Sequence, residues 1–114
     1  MQLWIILRWL TAAATVVTGL VSLFWPRAVF GFTGLTVSGP RGITEIRAVL
    51  GGVFVALGLV PLLWGQPAAY FMLGATYLTV GIVRLVSMLV DRSIMRSNVI
   101  SLIVELAFGA ILIF

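Results

Sequence analysis

Four charged residues lie in long apolar segments, and they are the residues of this chain best placed to do chemistry. They are Glu45, Arg47, Arg84 and Glu105. Charged side chains are costly inside a bilayer, so they usually face a protein interior or a watery cavity and mark a functional site. Carboxylates and guanidinium groups in such a place can bind a polar head group, move a proton or neutralise one another.

Other chemistry is limited by the residue types that the chain lacks. The sequence has no Cys and no His, which removes disulfides, thiolate nucleophiles, zinc sites and imidazole ligands for haem. It has no Lys, which removes a lysine Schiff base. Carboxylates are present, but no nucleophile–base pair accompanies them. We therefore expect no enzyme, no catalytic residue, no metal site and no cofactor.

The elements that must position the four charges are membrane-spanning helices. The chain is 62% hydrophobic and 9% charged, whereas charged residues make up about a quarter of an average soluble domain. A helix crosses the bilayer with about 20 apolar residues. The sequence predicts an all-α polytopic membrane protein, a bundle of four transmembrane helices in one domain over residues 1–114. The predicted spans cover about residues 3–25, 43–64, 68–90 and 98–114.

Small residues in these spans predict close helix contacts, because they let helix backbones approach one another in a membrane. The candidate packing positions are Gly19, Gly51, Gly52, Gly58, Gly81 and Gly109. In the second span Ala48, Gly52 and Ala56 follow one another at intervals of four. We expect Gly52 to pack against a neighbouring helix, either in this chain or in another copy.

The four charges are predicted to lie at similar depths in the membrane. When the two longer connections are placed on one membrane face, all four fall within the third of the bilayer nearest that face. Glu105 is expected to pair with Arg84 or Arg47, and Glu45 to reach either the head groups or Arg84. Two interpretations stay open: an ion-pair network that fixes helix register, or a functional site.

The stretch from Thr44 to Gly52 reads Thr-Glu-Ile-Arg-Ala-Val-Leu-Gly-Gly. It resembles the signature of a small bacterial membrane-protein family of unknown function. In that family a Glu-x-x-Arg or Glu-x-Arg-Ala segment runs into Gly-Gly on the second of four helices. Arg84 on the third helix and Glu105 on the fourth also fit the pattern. The resemblance covers nearly the whole chain and implies no established activity.

Two looser similarities concern other small membrane proteins. The chain is similar to DoxX-like four-helix membrane proteins, which would imply a redox-related setting. Its size and span count also resemble the small multidrug resistance transporters, which carry an essential carboxylate in the first helix. The first span here has no carboxylate, only Arg8, and this departure disfavours a drug–proton antiporter.

The positive charge indicates a membrane partner and not a nucleic acid. The formal net charge of +4 arises from seven Arg residues, which sit at the ends of apolar runs, where the positive-inside rule and lipid head groups account for them. The expected partners are the lipid bilayer and other membrane subunits or copies of this chain. The expected location is the bacterial cytoplasmic membrane.

Two functions from different classes agree with these features. The first is a non-catalytic accessory or assembly subunit of a membrane complex, in which the Arg/Glu cluster fixes helix packing. The alternative is a binder or carrier of a small amphipathic molecule such as a lipid or quinone. In that case the cluster would hold the polar head within apolar walls.

The distribution of Arg predicts that both termini lie outside the cytoplasm, because positive residues near short loops stay inside. The face with the longer connections carries Arg27, Arg41, Arg92 and Arg96, whereas the other face has only Arg8. With single cysteines and an impermeant reagent on intact cells, we expect Gln66→Cys to be labelled and Ser38→Cys to be protected. The reverse pattern would overturn this orientation.

Overall fold

A computed structural model describes residues 2–114 and contains only helices and their connections over that range. One helical segment is a π-helix, and the others are α-helices. In chain order the elements are α1 (Gln2–Phe24), α2 (Ala28–Thr33), α3 (Pro40–Glu45), the π-helical segment (Ile46–Val53), α4 (Phe54–Trp64), α5 (Pro67–Val90) and α6 (Arg96–Ile113).

Four continuous helices are long and apolar enough to cross a membrane. They are Gln2–Phe24, Pro40–Trp64, Pro67–Val90 and Arg96–Ile113. The second is made of α3, the π-helical segment and α4 without a break, and we refer to it as the second span. This arrangement confirms the predicted all-α architecture of a polytopic membrane protein with four transmembrane helices.

The π-helical segment changes which residues of the second span face inward. In a π-helix each backbone bond joins residues five apart, so that Ile46 and Gly51 lie nearly above one another. Both are buried. In a regular α-helix the same two residues would point about 140° apart. Arg47 and Gly52 of the same segment are exposed. The π-helical geometry was not predicted from the sequence.

The bundle is built from two tightly packed helix pairs. The first span packs most extensively against the second span, and α5 packs most extensively against α6. The pairs meet through α4 with α5 and through α1 with α6. A buried cluster lies where the pairs meet, with members from α1, α5 and α6: Ala12, Tyr70, Leu73, Tyr77 and Leu112.

Glycines provide the space for the close contact between the first and second spans. A Cβ added at Gly58 would lie closer than 3.0 Å to the carbonyl oxygen of Ala12. A Cβ added at Gly19 would meet the carbonyl oxygen of Gly51 at 2.7 Å. Gly51 in turn packs against Leu23. These backbones approach so closely that a side chain at these positions would push the helices apart.

Glycines also line the contact between α5 and α6. Gly81 packs against Leu106, and Gly109 packs against Leu78. Gly52 differs from the other five candidate packing glycines, because a Cβ added there would find no atom within 4 Å. Its face of the second span is therefore not covered by any part of the chain between residues 2 and 114.

We predict that Gly58→Ala destabilises the bundle by about 1–3 kcal/mol, because the added methyl group must displace the backbone of α1. The matched change Gly52→Ala, in the same span, should leave the stability unchanged, since the new methyl group enters open space. Thermal unfolding of both variants in detergent measures the difference. Equal loss in the two would contradict this account of the glycine contacts.

Candidate functional site

The closest pair of opposite charges in the bundle joins α5 to α6. Arg84 donates from Nε to both carboxylate oxygens of Glu105 at 2.9 Å, and from Nη2 to Oε1 at 2.7 Å. The guanidinium thus engages both oxygens of one carboxylate, the geometry of the stronger charge-assisted hydrogen bonds. Glu105 is only 7% exposed, so this contact takes place inside the protein.

Asn98 extends the ion pair towards the α5–α6 connection. The Nη1 group of Arg84 donates to Oδ1 of Asn98 at 2.9 Å, and Nδ2 of Asn98 donates to the carbonyl oxygen of Ser93 at 2.8 Å. Asn98 and Glu105 are seven residues apart, so both lie on one face of α6. The network therefore holds α5, α6 and the turn between them in one arrangement.

The buried polar atoms of the bundle have their hydrogen bonds satisfied. Between residues 2 and 114, no buried side-chain nitrogen or oxygen lacks a hydrogen-bond partner. Because Arg84 and Glu105 neutralise each other, their burial leaves no uncompensated charge inside the bundle. Both carboxylate oxygens of Glu105 accept from Arg84, so the contact links α5 directly to α6.

One edge of this network remains accessible. The Arg84 side chain is 31% exposed, and with Asn98 it lines a groove of about 340 Å³. Thr79 and Ser87 add hydroxyl groups to the groove wall, and Val83 adds apolar surface. The groove combines a partly free guanidinium with apolar walls, which is the chemistry needed to hold a polar head group.

The other two predicted site residues lie elsewhere. Glu45 accepts a hydrogen bond from Arg41 at 3.1 Å, and both side chains are exposed. Arg47 is exposed and lines a separate groove at the end of the first span. The structure thus brings together Arg84 and Glu105 but does not unite all four charges. Arg41 lies one helical turn before Glu45, and such an i,i+4 pair forms locally.

A pair of hydrogen-bonded hydroxyl groups is also buried inside the bundle. The hydroxyl groups of Thr15 in α1 and Tyr77 in α5 are hydrogen-bonded to each other. The Tyr77 ring also meets Phe108 of α6 edge to face, with 5.3 Å between ring centroids. The sequence indicates that Tyr77 faces the bundle interior, because it lies seven residues before Arg84 and shares its face of α5. Its partner on the first span was not predicted.

The acidic side chains of the described residues lie apart from one another. Over residues 2–114 no group of three or more His, Cys, Asp or Glu side chains comes together to hold an ion. The three acidic residues are each engaged by a different group: Glu45 by Arg41, Asp91 by Ser87 at 2.7 Å, and Glu105 by Arg84.

Four apolar helices around an internally neutralised ion pair define a polytopic helical membrane protein. The family model described as a domain of unknown function (DUF4345) matches residues 4–114, so this chain belongs to that family. No curated protein and no solved structure matches the chain. Membership of an uncharacterised family confirms the broad form of the predicted resemblance. The Glu-x-Arg-Ala signature and the DoxX-like similarity remain predictions.

We predict that a double-mutant cycle on unfolding detects strong coupling between Glu105 and Arg84. Glu105→Leu alone should destabilise the bundle, because it leaves a partly buried guanidinium uncompensated. Arg84→Leu with Glu105→Leu should recover much of the loss. Glu105 with Arg47 is the control cycle, and its losses should add. Additive losses for both pairs would contradict the ion-pair role.

Proposed function

We propose that this chain is a small non-catalytic subunit that assembles into a membrane complex, either as an accessory component or as an assembly partner. The observation that carries the proposal is the exposed stripe of small residues on the second span, which we call the open stripe: Ala48, Gly52 and Ala56. In membranes, helix association depends on close van der Waals packing, and small residues at intervals of four permit it.

The buried glycines of the same span support this interpretation of the open stripe. A Cβ added at Gly58 would collide with the first span, and a Cβ added at Gly51 would lie tightly against Leu23, at 3.1–3.2 Å. Gly52 has the same residue type in the same helix, yet no part of the chain lies against it. The second span therefore offers a helix-packing surface on two sides and fills only one of them.

The properties of the Arg84–Glu105 ion pair also support a structural role, as the subunit proposal requires. Arg84, Glu105 and Asn98 satisfy one another, and the pair carries no net charge. Replacing such a buried pair by apolar residues is often nearly neutral for stability, whereas removing one partner is costly. In a subunit, this pair would hold α5 against α6 while another surface makes the contact with the partner.

The proposal is tested by purifying the tagged protein from native membranes and identifying what remains bound. We expect a stoichiometric membrane protein, either a different subunit or a second copy of this chain. Gly52→Leu should abolish retention without unfolding the chain, because its side chain would fill the space into which a partner helix packs. A wild-type protein that retains no protein partner would contradict the proposal.

Val60→Leu is the matched control for this experiment. Val60 lies in the same span and is 49% exposed, and the change adds a single methylene group. Retention should be unaffected. If Gly52→Leu keeps its partner as well as Val60→Leu does, the partner does not sit on the open stripe.

A second candidate function rests on the accessible edge of Arg84. The groove beside Arg84 and Asn98 is lined by both polar and apolar residues. This arrangement suits a binder or carrier of an amphipathic molecule, with the guanidinium holding the polar head. The ion pair would then serve to orient Arg84 towards the groove and not only to stabilise the bundle.

The double variant Arg84→Leu with Glu105→Leu separates the two candidates in a complementation assay. If the pair is a scaffold, the double variant regains both fold and cellular function. If Arg84 holds a ligand, the double variant folds but remains inactive. That second result would favour the amphipathic binder over the subunit.

A further inference from the structure

A second groove lies where the first span ends and the second span begins. Its volume is about 360 Å³, and it is formed by Phe24, Trp25, Arg27, Ile43 and Arg47 among others. Arg27 follows the first span directly, whereas Arg47 comes from the π-helical segment. The groove thus places two Arg residues, one from the turn after α1 and one from the π-helical segment, beside aromatic and aliphatic side chains.

No carboxylate of the described chain is bonded to either guanidinium. Glu45 bonds to Arg41, Glu105 bonds to Arg84, and Asp91 accepts from Ser87. The groove therefore carries two positive charges that the part of the chain between residues 2 and 114 does not neutralise.

The depth of Arg47 in the bilayer makes an unpaired positive charge there unfavourable unless an anion lies nearby. Arg47 is seven residues from the start of the second span, which corresponds to about 10 Å along the helix. An Arg at such a depth either extends towards the interface or pairs with an opposite charge. The phosphate groups of lipids are the anions that a bilayer provides at this level.

Arg47 lies in the π-helical segment, on the exposed side of the second span. Because Ile46 and Gly51 both occupy the inner face of the span, Arg47 is turned away from the interior where Arg84 and Glu105 meet. Arg47 lines the groove with Arg27 and takes no part in the internal ion pair. π-Helical turns occur frequently at functional sites, and this one shapes a wall of the groove.

We propose that this groove binds an anionic phospholipid, whose head-group phosphate lies between Arg27 and Arg47. Two guanidinium groups give the planar, multidentate donors that suit phosphate oxygens. Trp25 and Phe24 supply aromatic surface of the kind found at membrane interfaces, and Ile43 lies against the upper part of an acyl chain. This site is separate from the Arg84 groove, and it does not depend on the subunit function.

The proposal is tested with the full chain purified in detergent, by titrating phosphatidylglycerol and following the melting temperature and the bound lipid by native mass spectrometry. We expect phosphatidylglycerol to raise the melting temperature, and phosphatidylcholine to have little effect. Arg27→Gln and Arg47→Gln should each weaken phosphatidylglycerol binding about tenfold, as expected for the loss of one charge-assisted contact. Without lipid, both variants should melt as the wild type does, because both side chains are exposed.

Arg96→Gln is the matched control, because it removes the same charge from an exposed Arg at the start of α6. Its binding should change less than about twofold, as for a distant surface charge. Equal weakening in Arg96→Gln would overturn the site, and so would equal binding of phosphatidylcholine or no binding of phosphatidylglycerol. If inorganic phosphate stabilises the protein as strongly as phosphatidylglycerol does, the ligand is a soluble anion and the lipid proposal is wrong.

Discussion

The arrangement of α5 and α6 depends on the need to keep one buried ion pair neutral and fully hydrogen-bonded. Bringing Arg84 and Glu105 out of water costs several kcal/mol for each ion, and only good geometry and further hydrogen bonds offset that cost. The structure meets both conditions, with two carboxylate oxygens engaged and Asn98 taking another guanidinium donor. Gly81 and Gly109 permit the helices to come this close. The ion pair and the small residues therefore depend on each other.

The two helix pairs are held together in a different way. Between them lie an apolar cluster, the hydroxyl pair of Thr15 and Tyr77, and a bond from Arg8 to the carbonyl oxygen of Ile111 at 3.3 Å. This last contact sets a cation against the carboxyl-terminal turn of α6, which favours positive charge. Over residues 2–114, ion pairing between helices thus lies within the α5–α6 pair. The contact between the two pairs relies on packing, the uncharged hydroxyl pair and the bond from Arg8 to a backbone carbonyl.

The sequence predicted the architecture because span length and hydropathy are local properties of the chain. It predicted that Glu105 pairs with Arg84 or Arg47, because helix depth follows from residue count, but it left the choice between them open. In the structure Arg84 bonds to Glu105, whereas Arg47 is exposed and lines a separate groove. Residue count gives the depth of a side chain but not which neighbouring helix it faces. The sequence also missed the Arg41 partner of Glu45, where a flexible pair one turn apart forms more readily than a contact between distant helices.

The balance of charges indicates that the groups free to bind a partner lie at the protein surface. The chain has seven Arg residues but only three acidic residues, so its positive charges outnumber its negative charges. The ion pair inside the bundle, Arg84 with Glu105, is itself neutral. Within residues 2–114 the interior leaves no buried polar side-chain atom unsatisfied. Between residues 2 and 114, the groups without a partner lie at the surface. They are the small residues around Gly52 and the guanidinium groups of Arg27, Arg47, Arg92 and Arg96. A protein with a completed interior and such unfilled surfaces is suited to act through what it contacts in the membrane.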